Sequence, residues 1–102
     1  MKRLTGEDRE RMRTAIAQFQ TRYKEEAGGV CILQAPDLNC FEELVRKFTD
    51  TEITRLIDGY FDYRRKIFPY DKESVFYRPA HLWQHVEEVK GVLKGAGEWE
   101  EE

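Results

Sequence analysis

Between Thr49 and Leu93 the chain repeats its apolar residues at helical spacing on both sides of an aromatic-rich turn, and few architectures can satisfy that pattern. Ile53, Leu56, Ile57, Tyr60 and Phe61 recur at steps of three and four, so a helix over 50–66 would carry them as one stripe. Thr49 and Glu52 have capping-box spacing at its start, and Pro69 lies too near its end for the helix to continue. A second helix opens at Pro79, where a missing N–H costs nothing, and carries Leu82, Val86, Val89 and Leu93. Phe68, Tyr70, Phe76 and Tyr77 stand between the two helices, with Trp83 just after. Together with Phe61 these rings predict a core clamped at the hinge.

Upstream, residues 7–27 read as a first helix capped by Thr5, with Asp8 completing a weaker capping box. Met12, Ala15, Ile16, Phe19 and Tyr23 share one face, and Gly28-Gly29 supplies a left-handed stop. Arg9, Arg11, Arg13, Arg22 and Lys24 fall mostly off that face, which reads as a solvated flank more readily than as a phosphate-contacting one. Val30-Cys-Ile-Leu33 is a short β-favouring run closed by Ala35-Pro36. Its one counterpart is Ser74-Val-Phe-Tyr77, and the two can pair as a minor ribbon. Asn39 is a good cap for a helix over 40–48, with Leu38 as its hydrophobic staple and Phe41, Leu44, Val45 and Phe48 facing inward. Thr49-Asp50 then turns the chain sharply. Such a corner is compatible with a helix-turn-helix, but Asp58 and Asp62 occupy positions where a major-groove helix wants Arg, Lys, Asn or Gln. The expected fold is all-α: one four-helix domain over 1–95, with or without the two-stranded ribbon. An acidic tail follows over 96–102, and the sequence leaves open whether Trp99 docks on the core.

Composition narrows the class. About a hundred residues make one domain, and 40% hydrophobic, 36% charged and 13% aromatic residues suit a soluble globular chain rather than a disordered one. No apolar run approaches the ~20 residues of a membrane span. The polar first residues and two cysteines lead us to expect reduced thiols in a cytoplasmic protein, with no membrane contact. The net charge of −3 is concentrated late in the chain, where residues 81–102 hold two Lys/Arg against six Asp/Glu. An acidic total argues against strong non-specific nucleic-acid binding but leaves room for a local basic face.

Chemistry is sparse. His81 and His85 lie four apart on one helical face, and Cys31 and Cys40 would be needed to complete a zinc set. The cysteines are nine residues apart rather than in a knuckle, and no metalloprotease glutamate follows His81, so we expect no metal and no cofactor. Asp58, Asp62, Glu87 and Glu88 offer carboxylates, but the chain has no nucleophile motif and no phosphate-binding glycine loop. A non-enzymatic role is therefore expected.

The densest cationic run is Arg64-Arg65-Lys66, continued at Lys72 and Arg78 and interleaved with Tyr63, Phe68, Tyr70, Phe76 and Tyr77. Cations for phosphates and rings for bases are what single-stranded nucleic acid requires. These five cations are the candidate nucleic-acid site, which the acidic tail can compete for. The same cations also suit a helix C-terminus, and the same rings a small core.

The stretch from Phe48 to Phe61, followed by Phe76-Tyr-Arg-Pro-Ala-His-Leu-Trp-Gln-His85, resembles the C-terminal helical module of phage and mobile-element replication proteins of the replisome-organiser and helicase-loader type. Tyr60-Phe61, Tyr77, Arg78, Pro79, Ala80, Trp83 and His85 carry the likeness. The resemblance implies a replication-associated module whose partner is single-stranded DNA or a replication protein. The alternative is a protein-interaction or structural adaptor that never touches nucleic acid.

Overall fold

The computed structural model describes residues 5–63 and 78–99. Five helices lie among them: α1 (Gly6–Ala27), α2 (Ala35–Lys47), α3 (Asp50–Asp62), α4 (Pro79–Gln84) and α5 (Val86–Gly95). No strand occurs among the described residues, so the fold is all-α there. No described helix is long and apolar enough to cross a membrane.

The caps of α1 and α3 form as their sequences require. The Asp8 N–H donates to Thr5 Oγ1 at 3.0 Å, and the Glu52 N–H donates to Thr49 Oγ1 at 3.2 Å. In return the Thr49 N–H donates to Glu52 Oε1 at 2.8 Å. Helix α1 stops at Gly28, whose φ of 77° is left-handed and therefore cheap only for glycine.

Two boundaries differ from the sequence-based expectation. Helix α2 begins at Ala35, not after Asn39, so Leu38 is no staple but an exposed residue within the helix. Pro36 does not close a strand. It sits in the first turn, where no intrahelical N–H is needed, and Asp37 accepts from the Gln34 N–H at 2.9 Å. The expected fourth helix is two helices, because His85 leaves helical backbone geometry with φ −113° and ψ 24°. The break lets α4 pack on α2 while α5 packs on α3. The described part of α3 ends at Asp62, and residues 64–66 lie outside the described residues, as does Ser74–Tyr77 of the expected ribbon. Val30–Leu33 forms no strand pairing among the described residues.

Helix α1 packs against α2 and α3, and the core closes around Phe19, which is fully buried. Its ring lies 5.0 Å from Phe61, 6.0 Å edge-on from Phe41 and 6.3 Å from Tyr60 in a stacked pose. Every member of the α3 stripe is buried. Trp83, by contrast, is only partly buried and packs at the margin of that core. Gly59 sets how closely α5 can approach: a Cβ there would meet Leu93 Cδ2 at 2.9 Å.

Candidate functional site

A densely bonded polar group lies where α2, α3 and α4 meet. Asp37, 1% exposed, accepts three hydrogen bonds. They come from the Gln34 N–H at 2.9 Å, the Arg78 guanidinium at 2.7 Å and the Ala80 N–H at 3.2 Å. One carboxylate thus satisfies orphan amides at the starts of both α2 and α4, while Arg78 compensates its charge. The Arg78 N–H in turn donates to the Tyr60 hydroxyl at 3.3 Å, and that hydroxyl is hydrogen-bonded to His81 Nδ1 at 2.8 Å. The His81 and His85 rings are 4.8 Å apart. Tyr60, Arg78, Pro79 and Ala80, from the stretch that resembles the replication modules, therefore build a junction between helices. Its carboxylate is engaged by three donors at once.

The candidate cations divide. Arg64, Arg65, Lys66 and Lys72 lie outside the described residues, as do Tyr70 and Tyr77. Arg78 is described, and its guanidinium is engaged with Asp37 and with the Ile32 carbonyl at 3.3 Å. Tyr63 donates its hydroxyl to Glu98 Oε2 at 2.8 Å, which holds its pKa above the ordinary tyrosine value.

Two arginines of α1 act as internal ties rather than as a solvated flank. Arg11 donates to Asp50 at 2.6 Å, to the Phe48 carbonyl at 2.6 Å and to the Val45 carbonyl at 2.9 Å. It thereby satisfies carbonyls at the C-terminal end of α2, where positive charge is favoured. Arg22 pairs with Asp58 at 3.0 Å and also with Asp62. Those aspartates, which disfavour a groove-reading helix, are therefore the anchors of α1 on α3. Periodicity could not reveal this, because it places residues on faces without saying which helix a face meets.

The thiols are ordinary core groups. Cys31 and Cys40 are buried, and burial raises both pKa values, although Arg78 partly opposes the shift at Cys31. Among the described residues no three His, Cys, Asp or Glu side chains are grouped so as to hold a metal ion.

The most exposed large apolar side chains described are Val30, at 76%, and Ile32, at 77%. They alternate with Cys31, which faces inward, and Leu33, which is partly buried. The segment is fixed by the Gln20 carboxamide, which accepts from the Cys31 N–H and donates to the Cys31 carbonyl, both at 2.8 Å. That amide pairs with Cys31 much as a neighbouring strand would, and the two β-branched side chains are held outward as a result. No family model matches the chain, and no curated protein or solved structure matches it at a significant level.

Proposed function

We propose that this chain is a non-enzymatic binding module of the replication-associated class that the resemblance implies, and that it works by contacting a protein partner. The observation that carries this reading is the pair Val30 and Ile32, exposed on a segment that Gln20 holds in place. Apolar side chains displayed on a fixed backbone lose little entropy on docking, so they favour a protein surface. The internal engagement of Arg11, Arg22 and Arg78 supports the same preference, since cations already paired with carboxylates contribute little to phosphate binding. A second reading, contact with single-stranded DNA, is carried by the run Arg64-Arg65-Lys66 with Lys72.

The two readings separate in one pair of experiments. Immobilised parent protein and a Val30→Asp/Ile32→Asp variant are exposed to extract of the source organism. The protein reading expects a discrete species retained by the parent and lost from the variant. Labelled single-stranded and duplex oligonucleotides are titrated at two salt concentrations against the parent and Arg64→Ala/Arg65→Ala. Salt-steep binding abolished by that double substitution, with no protein species lost in the first experiment, would transfer the function to nucleic acid.

A further inference from the structure

We infer that the cradle holding Trp99 is a peptide-binding site, occupied in cis by this chain's own acidic C-terminal segment and open in trans to a partner peptide of the same chemistry, an aromatic residue flanked by glutamates. The occupant on the page defines the ligand. The Trp99 ring meets Phe48 edge-on at 6.0 Å, and Lys90 Nζ lies 5.8 Å from the centre of each ring. One residue earlier, the Glu98 carboxylate accepts from the Tyr63 hydroxyl at 2.8 Å, and the Glu98 N–H donates to the Leu93 carbonyl at 2.8 Å. Phe48 and Lys90 thus receive the ring, while Tyr63 receives the acid that precedes it. Three more glutamates follow Trp99 in the sequence, and the lysine beside the cradle suits an acidic ligand.

Two features bear on exchange of the cis occupant. Gly97, at a φ of 74°, ends α5 in a left-handed cap whose N–H donates to the Lys94 carbonyl at 3.1 Å, so the chain reverses there and brings Trp99 back onto Lys90 within two residues. Trp99 is 8% exposed, and its buried indole Nε1–H has no hydrogen-bond partner among the described residues. An unpaired buried donor penalises the docked state, so the tail fits the cradle without optimising it. A partner peptide must outcompete a tethered ligand whose effective concentration is on the order of millimolar. This face is distinct from Val30 and Ile32, and the test leaves those residues untouched, so either reading can fail alone.

The test uses the full-length chain and a fluorescein-labelled peptide of sequence Gly-Ala-Gly-Glu-Trp-Glu-Glu-Glu, followed by anisotropy. The Trp99→Ala protein, its fold checked by circular dichroism, is expected to bind the peptide at least ~10-fold more tightly than the parent, whose own tail competes. Adding Lys90→Glu should abolish the gain. Should Trp99→Ala fail to fold, Glu98→Ala, which releases the Tyr63 hook and keeps the indole, is expected to bind more tightly than the parent. Equal binding by parent and folded variants, or a gain indifferent to Lys90→Glu, would overturn the proposal. A parent that sediments as a dimer and becomes monomeric on Trp99→Ala would also overturn it, by giving the cradle to the tail of a second copy.

Discussion

Three donors converge on the Asp37 carboxylate, and two of them are backbone amides that open separate helices. Removing the carboxylate strands both amides and leaves Arg78 without its counter-charge, so Asp37→Ala should cost about 3 kcal/mol. Arg78→Ala should cost less, because both amides still hold the carboxylate and the arginine side chain is 36% exposed. Urea melts of the two variants check the order, and an Asp37→Ala midpoint equal to the parent's would show that the junction bears no load. The cysteines make a second residue-scale prediction. Burial raises both thiol pKa values, so the thiolate fraction at pH 8 is lower than for an ordinary cysteine. A thiol reagent should modify native protein slowly and urea-unfolded protein fast. Rapid native labelling of either cysteine would contradict its place in the core.

Between elements, α3 and α5 approach closely at Gly59. Alanine there gains about 1 kcal/mol of helix propensity, but it overpacks against Leu93 at a cost of ~1–3 kcal/mol. Leu93 is itself 2% exposed and has little room to yield. A net loss of about 1 kcal/mol is expected for Gly59→Ala. In a Leu93→Ala background the same change should become neutral or stabilising, and a double-mutant cycle reads the difference. Additivity would place the strain elsewhere. The hinge aromatics divide in the same way. Phe61 is 4% exposed and touches Phe19, so Phe61→Ala should cost roughly 3–5 kcal/mol. Trp83 is only partly buried beneath Lys47, and its truncation should shift the thermal midpoint much less.

At the scale of the whole molecule, the C-terminal segment closes the fold over the corner between α2 and α3, and its hook is titratable. The hydrogen bond to Glu98 raises the Tyr63 pKa above its ordinary value of 10.0. A raised folded-state pKa means that this stabilisation is fully present below pH 10 and is lost as pH rises through the shifted value. In a Trp83→Phe background, Trp99 emission should therefore report partial undocking above pH 10, ahead of global unfolding. Adding Tyr63→Phe should remove that step, and an unchanged step would assign it to another group.

The local features of the chain were legible in one dimension. The capping boxes at Thr5 and Thr49, the stop at Gly28, the stripe on α3 and the opening at Pro79 depend on residues within a turn of one another, so short-range chemistry determines them. The start of α2 was readable only in hindsight. Gln34, Pro36 and Asp37 form a helix opening, but Asn39 offers an equally good local cap, and packing of the first turn against α4 decided between them. The break at His85 was hidden for the same reason: one continuous stripe cannot show that its two halves face different helices. Charge was the least legible property. Whether Arg22, Arg11 and Arg78 face water or a carboxylate depends on partners 36 to 41 residues away, which only the tertiary structure brings within hydrogen-bond distance.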